Sequence, residues 1–173
     1  EGWGGNDSVP IIVLQARILF MNLLPSFREM EFGMFGLLYL DYNCFQRSFD
    51  DQKQTRIRLE AVACEAIFAK AEQGKIELVW SFMHEDENAA CPFFDRRSEV
   101  LRLSDLCKVK VVPDAKIQKL ALDLQASRQL GAKDALHVAS ALHCHADVLL
   151  TCDDGLERKT GKKLSEVDNN EPS

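Results

Sequence analysis

Carboxylates recur in this chain where an α/β protein carries its reactive groups. Asp41 closes the apolar run 35–40. Glu85, Asp86 and Glu87 follow the expected strand 76–80, Asp134 opens a helical stretch, and Asp153-Asp154 follow Val148-Leu149-Leu150. If those runs are parallel strands, their carboxyl ends share one sheet edge, the usual place for a site in an open α/β fold. Like charges gathered there repel. A hard cation with oxygen ligands, Mg²⁺ or Mn²⁺, neutralises them. Such ions activate water and stabilise the oxyanions of an in-line phosphoryl displacement. No GxxxxGK[ST] loop, GxGxxG turn, GxSxG elbow or HExxH pair is present. Metal-assisted phosphodiester hydrolysis is therefore the chemistry that the spacing favours. Each residue also has a plainer reading: Asp134 as a helix cap, Asp153-Asp154-Gly155 as a turn.

The elements that must position these groups follow from periodicity. Residues 132–146 are small or aliphatic nearly all round, which predicts a buried helix with Asp134 in its first turn. A short turn leads to a doubly buried strand over 148–150. Further strands are expected at 35–40, 76–80 and 109–112, and helices at 52–73, 81–88, 92–106 and 115–130, with Gly74 and Gly131 as stops. Residues 162–167 suggest a short edge strand. Strands alternating with helices, apolar rather than alternating in pattern, give α/β with a parallel sheet. Arg47, Lys53, Arg56 and Arg58 follow Asp41 closely and are candidates to meet phosphates, against the plainer reading of a solvated helix face.

Size and composition set bounds. A chain of 173 residues with 46% hydrophobic and 28% charged content is ordinary for one soluble domain. The net charge of -6 gives no global pull toward nucleic acid or anionic membrane. The six cysteines form no CxxC pair, which reads as reduced, structural and cytoplasmic. His143-Cys144-His145 point in different directions around a helix and do not make a zinc site. The apolar stretch near residues 9–24 is broken by Gln15 and Arg17 and is too short to span a membrane. Its acidic, glycine-rich flank argues against a secretory signal. The expected organisation is an extension over 1–34, with Met34 a candidate start, a domain over 35–168 and a polar tail over 169–173.

Three pieces carry a resemblance: LLYLDYN at the first strand, KDALHVASAL on the late helix, and DVLLTCDDGL at the fourth strand. Their order and separations resemble the PIN-domain family, and within it the VapC-type ribonucleases of bacterial toxin–antitoxin systems. The resemblance implies a parallel sheet in strand order 3-2-1-4-5, helices on both faces and an acidic Mg²⁺ pocket. It carries over to Asp41, Asp134 and Asp153 as metal-binding catalytic residues, with Thr151 two places before Asp153. Counting from Ser81 with Pro92 as a second anchor, Glu87 fits the family glutamate best and Glu85 next. Asn43 and Asp154 are candidate supports. Tyr42 stands where the family carries a small hydroxyl residue. His137, one turn after Asp134, reads as a packed core residue. The implied activity is that of an endoribonuclease acting on RNA, with a cognate antitoxin and a homodimer as partners. The competing reading is a catalytically weak PIN-like scaffold. A receiver domain would need a lysine after a late strand, and none is seen.

Overall fold

The computed structural model describes residues 11–13 and 36–164. Its strands are β1 (Ile11–Val13), β2 (Leu37–Leu40), β3 (Glu77–Ser81), β4 (Val109–Val111) and β5 (Val148–Thr151). Its helices are α1 (Tyr42–Gln46), α2 (Thr55–Glu72), α3 (Phe82–Ala90), α4 (Phe94–Ser104), α5 (Ala115–Arg128), α6 (Ala132–His143) and α7 (Asp154–Leu164). All strand pairs are parallel, in the order β1-β5-β2-β3-β4.

Alternation along the strands divides the core into two layers. Leu38 and Leu40 of β2, with Val148 and Leu150 of β5, pack with Phe45, Cys64, Ile67 and Val100 from α1, α2 and α4. Tyr39 and Leu149 point the other way, onto Ile117 and Leu124 of α5 and Ala135 and Val138 of α6. A strand buried on both faces is nearly all apolar: β2 is Leu-Leu-Tyr-Leu, and β5 is Val-Leu-Leu ending on the buried Thr151. This α/β architecture, helices on both faces of a parallel sheet, is the one expected.

Four strands stand in the expected order, β4-β3-β2-β5. The fifth position differs. Lys162 lies in α7, so the expected edge strand at 162–167 does not form there, and residues 165–167 lie outside the described residues. The place beside β5 is taken instead by Ile11–Val13, paired in register with Leu149–Thr151. Gly131 is not the stop of α5. Gln129 takes the left-handed turn (φ 55°), and Gly131 is the N-cap of α6. Helix α6 ends at His143, and His145 adopts φ 55° beyond it. A short helix, α1, and a 3-10 turn at Arg47–Phe49 follow Asp41 directly and were not expected.

Candidate metal centre

Asp41 is the first residue past β2, and its N–H donates to the Leu150 carbonyl of β5 (2.8 Å). The ladder between the two central strands therefore continues through the backbone of the carboxylate-bearing residue. Its side chain is held from both neighbours. Thr151 Oγ1 donates to Asp41 Oδ2 (2.6 Å), and Asn43 Nδ2 donates to the same oxygen (2.7 Å). Thr151 Oγ1 accepts in turn from the Asp153 N–H (3.0 Å) and Asn43 Nδ2 (3.2 Å). The other end of the Asn43 amide accepts from the Cys152 N–H (3.1 Å), which fixes its orientation. Asn43 and Thr151 thus serve Asp41 directly.

Glu87 approaches from α3. Ser81 caps that helix, with a reciprocal capping box to His84. Met83, His84 and Asn88 face inward, and Glu87 lies on that face, four residues after Met83 and three after His84. Glu85 and Asp86 are exposed on the opposite side. Tyr42 clamps the helix: its hydroxyl donates to Asn88 Oδ1 (3.0 Å) and accepts from Gln46 Nε2 (2.7 Å). The residue that replaces the family's small hydroxyl thus braces the segment next to Glu87.

His137 of α6 joins the two acids. Its Nε2 is 3.2 Å from Glu87 Oε2 and 3.8 Å from Asp41 Oδ1. One ligand atom from each of Asp41, Glu87 and His137 lies within 4.8 Å of the others. Lys133, one turn earlier on α6, reaches Glu87 Oε1 at 3.3 Å. His137 is buried, as a core residue is, and also faces the site. Its spacing of three from Asp134 was the signal in the sequence. Lys133 had no signal beyond its neighbour.

Behind His137 runs a buried polar line. The Leu40 carbonyl can only accept, so His84 Nε2 donates to it (2.6 Å), and His84 Nδ1 accepts from the Ser81 N–H (2.8 Å). Burial first, then the charge of His137, pushes His84 down to about 3, so it stays neutral. Ser81 Oγ lies 2.7 Å from the Tyr39 hydroxyl, which lies 2.8 Å from His137 Nδ1. The line has two senses. If His137 Nδ1 donates to Tyr39, its Nε2 presents a lone pair to the acids, the form in which imidazole binds metal. If Tyr39 donates to Nδ1, Nε2 carries the proton and donates to Glu87.

The two acids are tuned in opposite directions. Desolvation raises Asp41 above the ordinary carboxylate range, outweighing His137 and the Thr151 hydrogen bond, with Glu87 adding to the rise. Glu87 is also desolvated, but the His137 hydrogen bond and charge, with Lys133, hold it below that range. Two carboxylates and an imidazole, facing one point on rigid elements, fit a divalent cation.

Asp134 and Asp153 stand outside this three-residue cluster. Asp134 lies in the first turn of α6, whose N-cap is Gly131. Asp153 is exposed, and its Oδ1 accepts from the Gly155 N–H (2.7 Å) at the start of α7. It connects to Asp41 through Thr151. Asp154 pairs with Arg56 (2.8 Å).

Two of the expected phosphate ligands are engaged by carboxylates. Arg47 Nε donates to the fully buried Glu60 (2.7 Å) and its Nη1 to Asp50 (3.0 Å). Arg56 binds Glu60 (2.8 Å) as well as Asp154. Together they tie α2 to the loops beside the site. Lys53 and Arg58 are exposed.

The PIN domain family matches residues 39–162, well over half of the chain. The chain belongs to the PIN-domain family, whose members are generally metal-dependent nucleases. No curated protein and no solved structure matches it.

Proposed function

We propose that this protein is a Mg²⁺- or Mn²⁺-dependent endoribonuclease of the VapC type, the toxin of a toxin–antitoxin pair. The observation that supports it most is the convergence of Asp41, just past the end of β2, and Glu87, on the helix that follows the adjacent β3, on His137. Asp41, Glu87 and His137 would hold the cation, with Asp134 and Asp153 the outer carboxylates on the same sheet edge. When bound, the cation supplies Lewis-acid activation of water and neutralises charge at the phosphodiester. Asn43 and Thr151 orient Asp41. Lys133 offers a positive charge to the phosphate at the rim, and the exposed Lys53 and Arg58 guide the RNA backbone. An imidazole in the set tilts the preference from Mg²⁺ toward Mn²⁺. A cognate antitoxin, a homodimer and a cytoplasmic setting belong to the same proposal. No helix among the described residues is long and apolar enough to cross a membrane.

The test is cleavage of RNA by the purified chain with Mg²⁺ or Mn²⁺, repeated with chelator and with Asp41→Asn. Cleavage lost under both conditions supports the nuclease reading. Divalent-cation binding without any cleavage favours the scaffold reading.

A further inference from the structure

Back to back with the carboxylates lies a second cluster of metal-binding atoms. The sulfurs of Cys44, Cys64 and Cys152 all lie within 4.8 Å of one another, and Cys44 and Cys152 are 3.9 Å apart. Sulfurs about 2.3 Å from a tetrahedral zinc ion stand roughly 3.8 Å from each other. The three residues come from α1, α2 and the residue after β5, all rigid, and all three are buried. All six cysteines are free thiols. A lone buried cysteine packs as a small hydrophobe. Three from separate elements, meeting sulfur to sulfur, make a donor set.

The surroundings suit a cation. Cys44 and Cys64 line a cavity of ≈ 330 Å³ between α2 and α4, whose wall also carries Glu65, Glu72 and Glu99. Arg102 shares that wall and pairs with Glu99 (2.6 Å), which leaves Glu65 and Glu72 as its other acids, and the cavity has room for a water as fourth ligand. Arg56, paired with Glu60 and Asp154, also donates from Nη2 to the Cys152 carbonyl (3.3 Å), which fixes the backbone of that residue. Thiolates prefer softer ions than a site of two carboxylates and one imidazole does, so the two clusters differ in the metal they favour.

We propose that Cys44, Cys64 and Cys152 form a second metal centre that binds a thiophilic d¹⁰ cation, Zn²⁺ or Cu⁺. Each protonated thiol releases its proton to solvent as its sulfur takes the ion. The centre does not rest on the nuclease reading, although Cys44 follows Asn43 and Cys152 lies between Thr151 and Asp153.

The test uses the full chain, reduced and stripped of metal, with Co²⁺ as the optical probe and excess Mg²⁺ present. A thiolate-to-cobalt charge-transfer band should saturate at about one equivalent and be displaced by Zn²⁺ or, anaerobically, by Cu⁺. Cys64→Ala should abolish the band, while Cys91→Ala, Cys144→Ala and Asp41→Asn should keep it. Should Cys64→Ala not fold, differential alkylation of the unaltered chain decides. Zn²⁺ should slow labelling of Cys44, Cys64 and Cys152 but not of Cys91 and Cys144. Absence of the band, its survival in Cys64→Ala, its loss in Asp41→Asn, or labelling indifferent to Zn²⁺ overturns the proposal.

Discussion

His137 Nε2 lies 3.2 Å from Glu87 Oε2, joining a helix from one end of the chain to a helix from its middle. The contact holds Glu87 ionised and aims it at Asp41. Replacing the imidazole removes both effects. We expect His137→Gln to weaken Mn²⁺ binding and Mn²⁺-supported cleavage more than the Mg²⁺ counterparts, because only the imidazole favours the softer ion. Calorimetric titration of each metal against the variant checks this. An equal loss for both ions would reduce His137 to a positioning residue for Glu87.

Asp41 makes a prediction about pH. Its folded pKa is raised by desolvation, so the metal-free native state binds its proton more tightly than the unfolded chain. Stability is then lost as pH rises from about 3.9, the unfolded value, through the raised folded value. Asp41→Asn removes that loss. Denaturant melts in chelator should show the variant gaining on the wild type across this window and levelling off above it. Glu87, lowered, acts in the opposite sense in both proteins, losing stability as pH falls through its folded value. A difference independent of pH would contradict the assignment.

Asp153 has a structural task whatever its chemistry, because its Oδ1 caps α7. Asparagine caps as well as aspartate, whereas alanine costs about 1 kcal/mol. Asp153→Asn should therefore keep stability within a few tenths of a kcal/mol, roughly, and lose metal-dependent cleavage. Asp153→Ala should lose both. Asp154→Asn weakens a half-exposed pair with Arg56 and should keep cleavage. Full activity in Asp153→Asn would leave that residue as a cap alone. The same assay on Asp134→Asn tests the other outer carboxylate, for which loss of cleavage is expected.

The basic residues divide. Arg47→Ala strands part of the buried Glu60 charge, and we expect a loss of about 3 kcal/mol. Lys53→Ala and Arg58→Ala should leave stability unchanged. They should weaken RNA binding and each lower the magnitude of the salt slope by about one unit. Filter binding over a salt series separates affinity from folding. An unchanged slope would make both residues solvent-facing only.

The N-terminal residues are tested by truncation. The pairing of Ile11–Val13 with β5 covers one edge of the sheet, while the acidic cluster lies wholly after it. A chain beginning at Met34 is expected to unfold cooperatively at a lower temperature and to retain metal-dependent cleavage. Loss of cooperative unfolding would mean that this extension completes the core.

Local order was set by the sequence itself. Strands buried on both faces need apolar runs, so 37–40, 78–80 and 148–150 could be read directly, and with them the positions of Asp41 and Asp153 just beyond two strand ends. Helical phase separates the acids of α3 as well. The inward face of α3, set by Met83, His84 and Asn88, already selects Glu87 over Glu85. What no local pattern carries is which distant groups meet. Tyr39 is 98 residues from His137, and the two share a hydrogen bond. Arg47 and Arg56 look like phosphate ligands in the sequence, but folding buries Glu60 beside them, and a buried carboxylate must be paired. The neighbour of β5 was decided in the same way. An edge position is filled by whichever short apolar segment the packed layers leave in reach, and beside β5 that is Ile11–Val13, while Lys162 lies in α7.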